Sequence, residues 1–428
     1  MSRVETVLVV GAGGFIGGFI TAALRAEGYR VLEGVRLGTG GSRAGRLDCD
    51  LARMTQPSDW SGVLEGVDAV VNAAGILRAS RGNGFQRVHF DGPLALARAC
   101  VDAGVQRFVQ VSALGDPADG PFISSKHRFD AALTKLPIKS VVLRPSVVYA
   151  PDGSYGGTSL LRALAATPGV QCVPGSGGWL LQPVSADDLG RLVVQALSAG
   201  SGVFEVVGPE RMSLLDYQRQ WRSWLRLRSG LVVHVPGWLV DPAVRAMDIL
   251  GRGPVGRTMW RMLKRGNVGT PGAHARLHET FGIAPRKLAD VLASRPSQVQ
   301  DRWHARLYFL APVMHASLVV LWLLSGWVGL TAPAEGINAL VGGSVMEGLS
   351  PVALARATGA LDVLAALALA SGWRPRLVIA AMMSMLLAYT VAFGMLVPST
   401  WLDPLGGLAK NLVLLPAMAM AWVTADRR

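Results

Sequence analysis

Cysteine is scarce in this chain. Cys49, Cys100 and Cys172 are the only three among 428 residues. Their wide spacing makes neither a CxxC pair nor a metal-ligand pattern, so no metal site is expected. Ordinary buried thiols in a reducing compartment are expected instead. Charge is also sparse, at 17% of residues against 50% hydrophobic. That balance leans toward a membrane protein. Acidic side chains are the rarer sign: 29 Asp and Glu face 42 Lys and Arg, a net charge of +13. No nucleic-acid recognition motif accompanies the surplus, and membrane proteins carry extra arginine for topology, so no nucleic-acid partner is expected. Met-Ser-Arg-Val-Glu-Thr leads straight into a strand without a secretion-signal pattern. The first domain is therefore expected in the cytosol.

The length exceeds one ordinary core, so two or more domains are expected. The apolar excess lies after about Leu307 and the charges lie before it. The most informative stretch is Val7 to Gly17, Val-Leu-Val-Val-Gly-Ala-Gly-Gly-Phe-Ile-Gly. Val7–Val10 read as a buried parallel strand, and Gly11, Gly14 and Gly17 open a helix. This order lets backbone amides and the positive helix end meet a pyrophosphate. Each glycine removes a Cβ that would block the turn, the ligand or the helix–strand contact. A glycine-rich turn with no ligand is the alternative reading.

Strand and helix patterns alternate from Val7 to about Val148, which predicts an α/β, Rossmann-type doubly wound parallel sheet. Helix one is predicted over Phe15–Glu27. The predicted strands are Arg30–Val35, a third carrying Asp48–Leu51, Val67–Asn72, Arg107–Val111 and Lys139–Leu143. The end of the second strand distinguishes the two nicotinamide cofactors. An acid there binds the ribose 2′-hydroxyl of NAD, and an arginine pairs with the 2′-phosphate of NADP. This chain has Arg36, with Arg43 nearby, while Glu33 sits deeper in the strand. NADP is favoured over NAD. A solvated loop arginine is the competing reading of Arg36.

Gly11-x-x-Gly14-x-x-Gly17, Asp50-Leu51, Asn72-Ala73-Ala74-Gly75, Ser112-Ala113-Leu114-Gly115 and Arg144-Pro145-Ser146-Val147-Val148-Tyr149 occur in one order at suitable spacing. Together they resemble the extended and atypical short-chain dehydrogenase/reductases, and most closely the branch similar to the accessory NADPH-binding subunit of respiratory complex I. Gln182 to Leu189 and Val206 to Glu210 fit the same family, so the resemblance covers residues 1 to about 295. It implies that Gly11, Gly14 and Gly17 cradle the pyrophosphate, with backbone amides from Phe15 and Ile16. It implies that Arg36 faces the adenosine ribose phosphate and that Asp50 and Leu51 contact adenine. Ala73, Ala74 and Gly75 would line the cofactor cleft. Asp188 is expected to pin the small C-terminal subdomain.

One position departs from the family. Its reductases place a Tyr four residues before a Lys, which puts both on one helix face. The Tyr protonates the carbonyl oxygen, the Lys binds the nicotinamide ribose, and a Ser orients the carbonyl. Here the Lys is Lys126 and the Ser is Ser112, but the Tyr position holds Phe122. Phenylalanine has no proton to give. Three readings stay open: binding without turnover, another donor such as His127, Ser124 or water, or an acceptor that needs no fixed acid. His127 is expected to be an exposed side chain.

Residues 210 to 305 are helical in pattern and rich in Arg and Lys, with Trp238 and Trp260 interleaved. A lipid-headgroup surface and a solvated face are both consistent with this. Residues 296–306 are expected to be a linker, with its hinge at Ala293–Gln300. Four apolar stretches follow at Leu307–Leu330, Pro351–Ser371, Leu377–Val397 and Pro404–Val423. Each is long enough to span a bilayer. Together they resemble a DoxX-type four-helix membrane domain over residues 307–424. Arg302, Arg306, Arg374, Arg376, Arg427 and Arg428 alternate with loops carrying Glu335, Glu347 and Asp403. By the positive-inside rule both termini lie in the cytoplasm, in a multi-pass protein of a bacterial-type inner membrane. Arg356, Asp362 and Lys410 are expected to face the bundle interior, with Asp362 paired to Lys410 and His315 near them.

The functional expectation is a membrane-anchored NADP(H)-binding oxidoreductase-like protein that acts on or senses a quinone or another lipophilic partner. The alternatives are a non-catalytic NADP(H)-binding sensor or assembly factor for a membrane complex, and a nucleotide-sugar epimerase or dehydratase.

Overall fold

The structure is a computed structural model that describes residues 4–37, 45–79, 84–249, 256–342, 350–402 and 407–425. The chain falls into two compact units, Met1–Ala305 and Arg306–Arg428.

In the first unit, β-branched runs and glycine stops build β1 (Thr6–Val10), α1 (Phe15–Ala26), β2 (Arg30–Val35), β3 (Arg46–Asp48) and β4 (Ala69–Asn72). There follow α2 (Gly92–Asp102), β5 (Arg107–Val111), α3 (Pro121–Leu133) and β6 (Lys139–Pro145). With the strand Gly202–Val206 they form a seven-stranded sheet in the order Gly202–Val206, β6, β5, β4, β1, β2, β3. All its strand pairs are parallel. Strand order reverses at β1, between β2 and β4, and ligands of such sheets bind at the strand ends beside that crevice.

Alternate residues of β1 explain why it reads as an unbroken apolar run. Val7 and Val9 pack with Ile20, Leu24 and Leu189 on one face. Leu8 and Val10 pack with Trp60, Leu96 and Phe129 on the other. A parallel sheet covered on both faces needs apolar side chains on both. β3 is shorter than expected, so Cys49, Asp50 and Leu51 leave the sheet and turn toward α2. β6 runs two residues further than expected, to Pro145. Cys49 and Cys100 are buried as expected, and burial raises both thiols to about 12. Cys172 is only half-buried.

A smaller subdomain gathers Tyr149, Leu214, Tyr217, Trp221 and Leu288 into a separate core. Asp188 ties it down. Its carboxylate accepts from the Arg286 amide at 2.9 Å and the Arg286 Nε at 3.0 Å, and from Arg191. The expected linker at 296–306 is not free chain. The Trp224 indole donates to the Arg295 carbonyl, Ser297 donates to the Trp224 carbonyl, and Asp301 caps a helix that begins at Val299.

The second unit is helical. Val299–Thr331, whose first residues belong to the first unit, Pro351–Ser371 and Pro375–Leu396 are long and apolar enough to cross a membrane. The expected fourth span is shorter: Leu408–Thr424 is apolar but below spanning length, and residues 404–406 lie outside the described residues. Leu318, Trp322, Ala366, Ile379, Met382 and Met418 form the unit's interior. Leu310, Val313, Leu324, Trp327, Leu364 and Val413 are exposed, as lipid-facing side chains are. Helices approach closely at small residues: a Cβ on Gly359 would lie 3.0 Å from the Gly326 carbonyl oxygen, the packing that glycine permits in membranes.

The expected intramembrane pair is not formed. Lys410 is exposed, while Asp362, 5% exposed, accepts a hydrogen bond from Ser325 Oγ at 2.7 Å. Lys410 stands exposed just before the helix Asn411–Thr424, whereas the Asp362 carboxylate is buried mid-helix against Ser325. Arg356 closes the end of the first long helix by donating to the carbonyls of Gly329 at 2.8 Å and Ala332 at 2.7 Å. His315 donates to the Ala311 carbonyl of its own helix. Glu347, Asp403, Arg427 and Arg428 lie outside the described residues, as does Arg43.

Candidate functional site

The turn from β1 to α1 is built for close approach. Gly11 has φ +85 and its amide donates to the Gly34 carbonyl at 2.8 Å. A Cβ there would meet the Ala74 backbone at 2.8 Å, and a Cβ on Gly17 would lie 2.1 Å from the Gly11 carbonyl oxygen. No side chain fits at either place. Gly14 is the N-cap of α1; it is exposed, and no side chain caps the helix. The first-turn amides of Phe15 and Ile16 therefore have no side-chain acceptor and lie at the positive end of a helix. Such a cradle fits a pyrophosphate.

Beyond β3, Leu51 is buried and its carbonyl oxygen would lie 2.2 Å from a Cβ on Gly92, so α2 packs directly on this turn. Asp50 accepts from the Ala52 amide at 3.0 Å and from Arg53 Nε at 2.9 Å. Its carboxylate is shaping the turn. Glu33 is held by Arg25 at 2.8 Å and Arg46 at 3.0 Å. Burial pushes its carboxyl up, and the two guanidinium groups more than reverse this, leaving it below its ordinary value. Its charge is spent on these partners. Arg36 is exposed and makes no hydrogen bond to another described residue. Among the described residues, the unengaged side chain at the end of β2 is thus a cation.

Across the switch point, Ala73, Ala74 and Gly75 leave β4. The side chain of Asn72 shapes this exit, donating to Gln110 at 2.8 Å and accepting from the Ala74 amide at 3.2 Å. A Cβ on Gly75 would lie 3.3 Å from Lys126 Nζ and 3.4 Å from His89 Nε2. α3 delivers Lys126, 6% exposed, whose ammonium donates to the Val111 carbonyl at 3.0 Å. Burial lowers its pKa to about 8, with Asp130 pulling the other way.

His89 is a residue that sequence reasoning passed over. It lies in a wide helical turn, Arg87–Asp91, that no simple periodicity announces. Its Nε2 accepts from the Ile76 amide at 3.0 Å, so the proton resides on Nδ1 and is donated to Ser125 Oγ at 2.9 Å. Burial and then the Lys126 charge lower its pKa to about 2, so the imidazole is neutral. Phe122 stands edge-on to it, with ring centroids 5.5 Å apart, and to Phe85 at 6.4 Å.

Ser112 does not stand free at the cleft. It is 4% exposed, and its hydroxyl donates to Asp130 at 2.8 Å, where Arg144 Nε also donates at 2.9 Å. The buried carboxylate, unnoticed in the sequence, captures it. His127 is half-buried rather than exposed, with Nε2 donating to the Ala113 carbonyl at 2.9 Å. Ser124 donates to the Pro121 carbonyl. Neither is idle. The arrangement brings together the glycine cradle, Gly75 and Lys126, and leaves the family's proton-donor position apolar.

Comparison with known proteins agrees with this geometry. Residues 7–202 match the NAD dependent epimerase/dehydratase family, and residues 319–422 match the DoxX-like family. A protein named ceramide reductase, from Caulobacter vibrioides, is 26% identical over 235 residues, 54% of this chain and 70% of its own length. The human epimerase family protein SDR39U1, solved with NADPH, aligns with a TM-score of 0.51 at 23% identity, covering 68% of this chain and 98% of its own. UDP-glucose 4-epimerase from Thermotoga maritima, solved with UDP-glucose, gives 0.50 at 16% identity over 67% of this chain and 96% of its own. These structural likenesses establish the fold.

Proposed function

For a chain that joins an NAD-dependent epimerase/dehydratase-type domain to a DoxX-like helical domain, we propose a membrane-anchored NADP(H)-dependent oxidoreductase of a lipophilic substrate, either a quinone or a lipid carbonyl. The observation that carries this reading is Lys126: a buried ammonium beside Gly75, at the strand ends where the glycine cradle also opens. A bound nicotinamide would supply or accept the hydride.

The chain's own groups have separable tasks. Gly11 and Gly17 keep the turn bare, and the amides of Phe15 and Ile16 hold the pyrophosphate. Arg36 takes the 2′-phosphate and so selects NADP over NAD. Asp50 and Leu51 shape the adenine side. Ala73, Ala74 and Gly75 floor the cleft, and Lys126 holds the nicotinamide ribose. Phe122 offers no proton, so a quinone-like acceptor protonated from water suits the site better than a simple ketone. The likeness to a ceramide reductase supports a lipid substrate. Arg302, Arg306, Arg374 and Arg376 support a cytoplasmic dinucleotide domain in a bacterial-type inner membrane.

The test is NADPH oxidation by membranes containing the full chain. The expected result is oxidation that depends on added quinone or long-chain aldehyde. Tight NADPH binding without oxidation by either class would select the second reading, a non-catalytic NADP(H) sensor or assembly factor. The packing of Phe122 on His89 and Phe85 favours that alternative. Nucleotide-sugar epimerisation meets the same missing hydroxyl.

A further inference from the structure

The strand Leu231–Val235 pairs on one side only, with Val170–Pro174, in a two-stranded sheet. It leads into the helix Gly237–Ile249. Four large apolar side chains on this segment stand in solvent: Leu231 at 71%, Val233 at 38%, Trp238 at 72% and Leu239 at 48% exposure. The sequence coupled Trp238 with Trp260, but the fold separates them. Trp260 is buried, packs edge-on against Trp179 at 5.1 Å and donates to Asp241.

The surrounding charge is one-sided. The acids on this helix and the neighbouring helix Arg257–Arg265 are engaged: Asp241 with Lys264 at 2.8 Å, and Asp248 with Arg257 at 2.8 Å. Arg226, Arg228, Arg245 and Arg261 are exposed and form no ion pair with a described residue. An exposed tryptophan and aliphatic side chains flanked in sequence by exposed arginines match an anionic bilayer surface, apolar below and negatively charged at the headgroups.

The helix Arg257–Arg265 also touches the segment that opens α3. Thr258 Oγ1 lies 2.5 Å from the place a Cβ on Gly120 would take, and Met259 Cε lies 2.4 Å from that of Gly157. Arg265 pairs with Asp119 at 2.9 Å. Gly120 is the N-cap of α3, which carries Phe122 and Lys126.

We propose that the exposed segment carrying Leu231, Val233, Trp238 and Leu239, flanked in sequence by Arg226, Arg228 and Arg245, seats on anionic lipid headgroups of the bilayer. The seating stands on exposure and charge alone.

The full chain tests this in lipid nanodiscs. Trp238→Cys in a Cys172→Ser background, with Cys49 and Cys100 buried, takes one environment-sensitive fluorophore. Glu65→Cys, exposed and far from this segment in sequence, is the reference site. The expected result is about twofold stronger quenching by nitroxide lipid at 238 than at 65, increasing when phosphatidylglycerol replaces phosphatidylcholine. Arg226→Glu with Arg228→Glu should abolish the phosphatidylglycerol effect while leaving the melting curve of the labelled protein in place. Equal quenching at both sites, indifference to phosphatidylglycerol, or shielding of 238 from lipid and aqueous quenchers alike (a protein partner) would each overturn the proposal. None of these readouts depends on NADPH oxidation.

Discussion

Phe122 packs edge-on against the neutral, buried imidazole of His89, with ring centroids 5.5 Å apart, one helical turn before Lys126. The position from which a hydroxyl would reach a carbonyl is instead part of an aromatic wall. His89 is fixed from both ring nitrogens, by the Ile76 amide and by Ser125. The wall is therefore rigid, and Lys126 is the ionisable side chain nearest its open side at Gly75.

Restoring the missing hydroxyl tests the cleft directly. Phe122→Tyr places a proton donor on the helix face of Lys126. It is expected to raise NADPH-dependent reduction of a long-chain aldehyde about a hundredfold, measured as NADPH oxidation in membranes. No gain, with NADPH still bound, would mean that the cleft does not seat a carbonyl next to the cofactor.

The glycine cradle has no room to spare. Gly17→Ala brings a methyl within 2.1 Å of the Gly11 carbonyl oxygen, so the helix must move away from the turn. NADPH affinity is expected to fall at least about tenfold, a loss of about 1.4 kcal/mol. Isothermal titration of the detergent-purified chain measures it. Gly28→Ala, at a positive-φ turn with open space around it, is the comparison that changes backbone strain without touching the cradle.

Cofactor choice should rest on Arg36. Arg36→Glu is expected to weaken NADPH by about tenfold while leaving NADH unchanged or improved. Competition titration with both nucleotides reads the ratio. Equal loss of both would assign Arg36 to folding instead of phosphate recognition.

Lys126 makes stability depend on alkaline pH. Unfolded, it holds its proton up to its ordinary value of 10.5; folded, burial lowers this to about 8. Between those values the unfolded state binds more protons, so its contribution to stability rises with pH, and below about 8 the cost of burying the ammonium is constant. Lys126→Met is expected to abolish this rise. Melting curves of cofactor-free protein at pH 7.5 and 10 supply the comparison, and an unchanged pH difference would contradict it.

Asp188 gives the opposite, acid-side dependence. Burial pushes its carboxyl up, but the Arg286 amide, Arg191 and Ser185 pull it below its ordinary value of 3.8. Its contribution is present above that value and lost as pH falls through the folded one. Asp188→Asn is expected to cost about 1–2 kcal/mol, since the charge-assisted hydrogen bonds are weakened while Arg286 and Arg191 remain partly solvated. Thermal melts should show the loss at pH 7 and little further loss on acidification.

Local chemistry made much of this protein legible in its sequence. The strand–glycine–helix order at Val7–Gly17 fixes a turn because only glycine tolerates its contacts. The apolar runs of β1, β4 and β5 announce a sheet buried on both faces. The long apolar helices after Leu307 are legible for the same reason, since length and composition alone decide whether a helix can cross lipid. Lys126 and Phe122 were readable through the resemblance to the reductases' Tyr-x-x-x-Lys pattern, which lies within one helix. The partners of the ionisable groups were not readable. Ser112 joins Asp130 across 18 residues, His89 meets Ser125 across 36, and Asp362 takes Ser325 rather than Lys410. Sequence spacing carries no information on such pairs, because the packing of separate helices and strands decides which polar group lies within hydrogen-bond reach. The sequence alone determined which backbone could approach a pyrophosphate and which segments belong in a bilayer. Tertiary structure alone decided which charges are spent and which remain free, because desolvation forces each buried polar atom onto whatever partner the packing supplies.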